Sequence, residues 1–132
     1  MSRTVFLADT HVLLWALWDS PELSPVAREL LEASESDVRV SVASIWEIGI
    51  KLSYGKFAEK FTVDGLFEFC DSQRIIIEPI PREALIGISK LPYPLAHKDP
   101  FDRIIACTCL ANGFTLIGAD TAFDHYGVPR IW

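Results

Sequence analysis

The run Val5–Ala8 is apolar at every position. As a strand it would be covered on both faces, the situation of a parallel sheet layered between helices. Asp9 and Thr10 stop it, and apolar residues resume at helical spacing with Val12, Leu13, Trp15 and Ala16. A carboxylate therefore stands where a central strand passes into a helix. In open α/β sheets, ligands bind at the carboxyl ends of the strands. The remaining question is which other acids the fold delivers to that edge.

The order of elements answers part of it. Asp19-Ser20-Pro21 breaks the chain, and Ser24-Pro25 opens a second helix to about Ala33, with Ser24 as cap and Pro25 at the first helical position. Val26, Leu30 and Ala33 share an apolar stripe there, and Arg28, Glu29, Glu32 and Glu35 form a solvated face. Residues 38–42 alternate and are β-branched, which predicts a second strand. Residues 43–52 form a strongly apolar helix ended by Tyr54-Gly55-Lys56, and Val63–Ser72 an amphipathic one. Residues 75–77 read as a third buried strand and residues 81–89 as a short helix, before a proline-rich loop at 91–94. A helix over about 100–111 closes at Asn112-Gly113. Residues 114–118 are a fourth strand with Ala119-Asp120-Thr121 directly behind it, and residues 128–132 add a short edge strand. This alternation predicts an α/β fold: a mainly parallel sheet of four to five strands, with helices on both faces, in one domain over 1–132.

Composition narrows the function. The chain has 132 residues, 50% apolar and 23% charged, enough for one folded core. A net charge of −6 argues against a protein that coats polyanions. It leaves room for an enzyme that meets a phosphodiester through a metal. Cys70, Cys107 and Cys109 form no Cys-x-x-Cys, and Cys107 and Cys109 do not share a helix face. They read as small buried hydrophobes of a reducing cytosol. His11, His97 and His125 lack zinc-type spacing. Only four apolar residues precede Asp9 after Met-Ser-Arg-Thr, and no apolar run nears the ~20 residues of a membrane span. A cytoplasmic protein is expected.

Each acid has two readings. Asp9 is a helix cap or a ligand, and Thr10 would cap equally well. Glu47 sits among Ile45, Trp46, Ile48 and Ile50. An unpaired carboxylate buried there would cost several kcal/mol or take up a proton. It either pairs with Lys51 one turn on or points into a charged site. Asp99-Pro100 has the form of a cap followed by Pro at the first helical position. Asp102 falls at the third helical position, where the helix dipole favours an anion. Asp120 follows the fourth strand as Asp9 follows the first, or caps residues 121–126; Asp124 reads as solvated. Taken together, the fold would bring Asp9, Glu47, Asp102 and Asp120 to one edge of the sheet. Such carboxylates repel unless a cation or protons intervene. An all-oxygen set suits Mg²⁺, with Mn²⁺ as the other choice. These ions activate water and stabilise the charge that develops as a phosphodiester is hydrolysed.

At these residues the sequence resembles the PIN-domain family, and within it the VapC-type toxins of bacterial toxin–antitoxin pairs. The resemblance rests on Leu7-Ala8-Asp9-Thr10-His11, on Ser41-Val42-Ala43-Ser44-Ile45-Trp46-Glu47, and on His97-Lys98-Asp99-Pro100-Phe101-Asp102-Arg103-Ile104-Ile105-Ala106. Gly118-Ala119-Asp120, with Tyr126-Gly127-Val128 behind it, completes the set. It implies a metal-dependent endoribonuclease that leaves a 3′-hydroxyl and a 5′-phosphate. Asp9 and Asp102 would be the most direct Mg²⁺ ligands, with Glu47 and Asp120 completing the site directly or through water. Thr10 and Ser44 would hydrogen-bond metal waters or the carboxylates, and Asp99 would act as helix cap and outer support. Ala119 stands where many relatives carry Arg.

The resemblance also implies a small VapB-type antitoxin that wraps the toxin, and a homodimer. Lys51, Lys56 and Lys60 around Tyr54 and Phe57, with Lys98 and Arg103 beside the acids, are suited to phosphates and bases. Trp15, Trp18, Trp46 and Phe57 are either core or an interface. Two other readings stay open: a degenerate PIN-like module that only binds RNA or protein, and a phosphatase-like phosphoryl-transfer α/β domain. The second would want Asp-x-Asp or a late Lys, whereas Thr10 and His11 follow Asp9 and no Lys lies beyond Lys98.

Overall fold

The computed structural model describes residues 3–91 and 99–132. Its elements run β1 (Val5–Ala8), α1 (Thr10–Leu17), α2 (Pro25–Glu32), β2 (Asp37–Ser41), α3 (Val42–Ser53), α4 (Val63–Ser72) and β3 (Ile76–Glu78). Then follow α5 (Arg82–Ile88), α6 (Pro100–Asn112), β4 (Thr115–Ile117), a 3-10 helix (Thr121–Tyr126) and β5 (Arg130–Ile131). The strands lie in the order β3-β2-β1-β4-β5, and every pairing is parallel. The expected α/β architecture is therefore present, with five strands among the described residues.

The all-apolar β1 is central because both its faces are covered. Leu7 and Leu116 pack with Ile105, Ala106 and Phe123 on one side. Ala8 and Ile117 pack with Val12, Ala27 and Val38 on the other. Ala8 stands opposite Ile117, and the Asp9 N–H continues the ladder onto the Ile117 carbonyl at 3.0 Å. The chain leaves β1 toward β2 on one side, while β4 arrives on the other. The gap beyond β1 and β4 is thus the point where the strand order reverses, the place where such sheets carry their ligand sites.

Helix boundaries follow their caps. Ser24 accepts from the Ala27 N–H and Ser41 from the Ala43 N–H, each at 3.0 Å. The second cap makes Val42 the first residue of α3 rather than the last of β2, so the strand lies one residue earlier than expected. Gly113, at φ 71°, closes α6 in the left-handed conformation that favours glycine.

Other departures have packing causes. The third strand is not buried: it is the sheet edge, begins at Ile76, and leaves Ile76 49% exposed. Ile75, the residue before it, turns into the core instead. The packed stripe runs from Leu23, just before α2, through Ala27 and Leu30 on the helix, and Val26 faces outward. Trp15 packs on Trp132, and Trp18 meets Phe57 and Phe61 edge-on. Of the four aromatics weighed between core and interface, only Trp46 is largely exposed, at 63%. The cysteines are free and buried as expected, and burial pushes the Cys109 thiol up to about 12. No helix among the described residues is long and apolar enough to cross a membrane.

Candidate metal centre at the strand ends

Asp9 is both cap and site residue. Its extended backbone ends β1, and its Oδ1 accepts from the Val12 N–H at 2.9 Å at the start of α1. Its side chain is almost wholly buried. Burial is the main cause that raises its carboxyl from 3.8 to about 6; the Val12 hydrogen bond and His11 oppose the rise, and Asp102 and Asp120 add to it. Asp9 therefore registers the charge of two acids remote in sequence. Asp102 is half-buried in the first turn of α6, and Asp120 is exposed just past β4.

Glu47 reaches the same region from α3. It is buried, and both its oxygens are engaged: Oε1 accepts from the Thr10 hydroxyl at 2.9 Å and Oε2 from Lys51 Nζ at 2.8 Å. Ser44 Oγ lies 2.9 Å from Thr10 Oγ1. Thr10 has one hydroxyl proton, and a carboxylate only accepts. With that proton on Glu47, Ser44 donates to Thr10. Glu47 thus pairs with Lys51, as one of its two readings expects, and Thr10 ties it to the first turn after Asp9.

Asp99 accepts from the N–H groups of Phe101 and Asp102 at 2.9 and 3.0 Å, so it is the cap of α6 and fixes the turn that carries Asp102. Asp120 caps the 3-10 helix through Ala122 N–H at 2.9 Å. An open cleft of about 220 Å³ is lined by Asp9, His11, Trp15, Ala119 and Asp120. Among the described residues, no three carboxylate, imidazole or thiol groups stand close enough to form a ready coordination shell. Asp9, Asp102 and Asp120 share a field, while like-charge repulsion opposes closer approach.

Several expected RNA contacts are placed differently. Arg103 is not beside the acids at the surface. It is 2% exposed, donates to the Leu91 carbonyl at 3.0 Å and lies 5.7 Å from the Tyr126 ring centroid. Phe57 packs on Trp18 and Phe61, whereas Tyr54, Lys56 and Lys60 are exposed. His97 and Lys98 lie outside the described residues. Asp124 is exposed, as expected, and receives two Arg130 bonds of 3.0 and 3.1 Å.

Sequence reasoning missed four supports. His11 and Trp15 line the cleft, as the Asp9-Thr10-His11 spacing at a helix start hints. Arg130 donates to the Gly118 carbonyl at 3.1 Å and braces the turn before Asp120. Gly118 itself abuts the Asp9 carboxyl: a Cβ there would stand 2.8 Å from Oδ2 and 3.2 Å from Cγ. No left-handed backbone is involved, only lack of room.

Comparison with known proteins agrees with this layout. The family model described as PIN domain matches residues 6–129. No curated protein sequence shows significant similarity to the chain. Among solved structures, a chain of VapBC2 from Rickettsia felis bound to a DNA fragment from their promoter is similar, with a TM-score of 0.74 at 17% identity over 97% of this chain and 98% of that one. A chain of DNA-bound VapBC from Salmonella typhimurium gives 0.67 at 18% identity, over 97% of each chain. A chain of FitAcB from Neisseria gonorrhoeae gives 0.63 at 18%, again over 97% of each. At these identities the likeness is one of fold.

Two outcomes are expected from this geometry. The folded-state pKa of Asp9 lies above its ordinary 3.8, so its contribution to stability is full below about pH 4 and is lost as pH rises through about 6. The loss is ~3 kcal/mol at neutral pH in metal-free buffer. Asn at this position keeps the cap and cannot ionise. The melting temperature of Asp9→Asn should therefore gain on wild type as pH rises from about 4.5 to about 7.5; a constant difference would contradict the burial argument. Gly118→Ala should lose about 1–3 kcal/mol in denaturant unfolding. That loss should shrink in an Asp9→Ala background, where the crowded carboxyl is gone.

Proposed function

Because the chain belongs to the PIN-domain family, we propose that it is a metal-dependent endoribonuclease, the toxin of a toxin–antitoxin pair. The observation that carries this reading is Asp9: a strand-end carboxyl pushed up to about 6 by burial and by Asp102 and Asp120. Burial is the larger cause, and the smaller part that Asp102 and Asp120 add is negative charge that a cation would relieve. The donors are all oxygens, a set that fits Mg²⁺ or Mn²⁺. Asp9 and Asp102 would hold the ion, with Glu47 and Asp120 completing the site directly or through water. Bound there, the ion would supply a water of lowered pKa and neutralise charge on the scissile phosphate.

The chain's own residues do the rest. Thr10 and Ser44 fix Glu47 in one orientation. Asp99 holds the first turn of α6 so that Asp102 stays at the edge. One of the four carboxylates would take the proton of the attacking water; as the new P–O bond forms, the P–O3′ bond breaks and the departing 3′-oxygen takes a proton from solvent, leaving a 3′-hydroxyl and a 5′-phosphate. The cleft beside Asp9 is open to solvent, which suits a polymer laid across it. The exposed Tyr54, Lys56 and Lys60 offer a stacking face and phosphate contacts.

An antitoxin of the VapB type is the partner this reading gives. It is supported by the fold shared with VapBC and FitAcB. The exposed Trp46, Leu85 and Ile86 provide apolar surface for such a chain or for a homodimer. An RNA substrate and this partner place the protein in the cytoplasm.

The test is cleavage of total RNA with and without Mg²⁺, comparing wild type with Asp102→Asn. The variant should lose cleavage by at least about 100-fold, while the metal-free protein melts no lower than wild type because one repelling charge is gone. Cleavage that survives chelation or the substitution would overturn the nuclease assignment. A marked fall in metal-free melting temperature would overturn the electrostatic argument.

A further inference from the structure

Among the described residues, Glu47 has two hydrogen-bond partners of different kinds. Oε1 is held by Thr10, which is buried against the fully buried Ser44, so that bond sits in the protein interior. Oε2 is held by Lys51, whose side chain is 40% exposed while that of Glu47 is 7% exposed. One oxygen is fixed by a hydroxyl that has nowhere to go. The other is held by an ammonium on a flexible stem with water beside it. The i,i+4 spacing on α3 puts Lys51 there without help from any other element.

We propose that Lys51 is the site's built-in cation: through Glu47 Oε2 it competes with the divalent ion and sets how tightly that ion is held. The inference rests on the metal-dependent reading above and adds a residue to it. Lys51 is the cation paired with the buried Glu47 carboxylate when no other cation is near. When a divalent ion reaches the acids, the ammonium is the partner of Glu47, among the described residues, that solvent can take up. Lys51 is thereby a positioning residue that acts through Glu47.

The experiment is a calorimetric titration of Mn²⁺ into the metal-free full chain, for wild type, Lys51→Met, Lys51→Arg, Glu47→Gln and the Lys51→Met/Glu47→Gln pair. Met keeps the apolar stem and removes the charge. Lys51→Met should bind Mn²⁺ about two- to fivefold more tightly, the effect of one half-exposed charge. Lys51→Arg should return to the wild-type value. In the Glu47→Gln background the Met substitution should change nothing, since the acceptor that held Lys51 is no longer an anion. Lys51→Gln makes the same comparison where Met impairs folding. Equal Mn²⁺ affinity in wild type and the charge-removing variant would overturn the role of Lys51 and leave the metal reading intact. A gain that persists in full beside Glu47→Gln would overturn it as well. If neither wild type nor Lys51→Met takes up Mn²⁺, the metal reading and this proposal fall together.

Discussion

A carboxyl group shut into the end of a central strand is the constraint on which this structure turns. Asp9 has one oxygen on the Val12 N–H and the other against Gly118, with little water around either. Burial of an ionised carboxylate is unfavourable unless it is paired or hydrogen-bonded. The chain tolerates it because three features are fixed together: β1 is central, β4 is its neighbour, and residue 118 has no side chain. A larger residue at 118 or a shift in the β1–β4 register would move the carboxyl or the strand. The topology that creates the crevice also brings Asp120 in behind β4, so position and charge arise from the same pairing.

The second acid on a buried helix face is managed differently. Glu47 is neutralised locally by Lys51 and steered by Thr10, which belongs to the first turn after Asp9. Thr10 thus joins the end of β1 to α3 through a single hydroxyl. Asp99 does similar work at α6 through two backbone N–H groups, and Arg130 does it at the turn after β4 through a carbonyl. These outer contacts fix the side chain of Glu47 and the turns that carry Asp102 and Asp120. Gathering like charges costs stability, and here the cost is concentrated at Asp9.

Much of this was legible in the sequence, for definite reasons. A wholly apolar four-residue run ended by Asp marks a central parallel strand, and Ser-Pro and Asp-Pro mark helix starts by their chemistry. Glu47 stood out because its neighbours are apolar. The readings that failed needed tertiary knowledge. Arg103 looked like surface charge because nothing local shows that its guanidinium reaches the Leu91 carbonyl and the Tyr126 ring. Ile76 looked buried because an apolar triplet does not reveal that its strand is an edge. Val26 was assigned inward because two candidate stripes on a short helix differ by one residue. Gly118 carried no local signal: its role depends on which side chain lies across from it after β1 and β4 pair. How near the acids come to one another carried no local signal either, since that depends on which elements pair in the folded sheet.

The central claim is that the strand-end acids form one divalent-cation site anchored on Asp9. Anomalous diffraction from crystals of the metal-free protein soaked in Mn²⁺ tests it most directly. The account predicts a Mn²⁺ peak bonded to the Asp9 and Asp102 carboxylates, with Glu47 or Asp120 in its shell or one water beyond. A peak elsewhere on the molecule, or none at Asp9 in crystals where Asp9 is ionised, would contradict it.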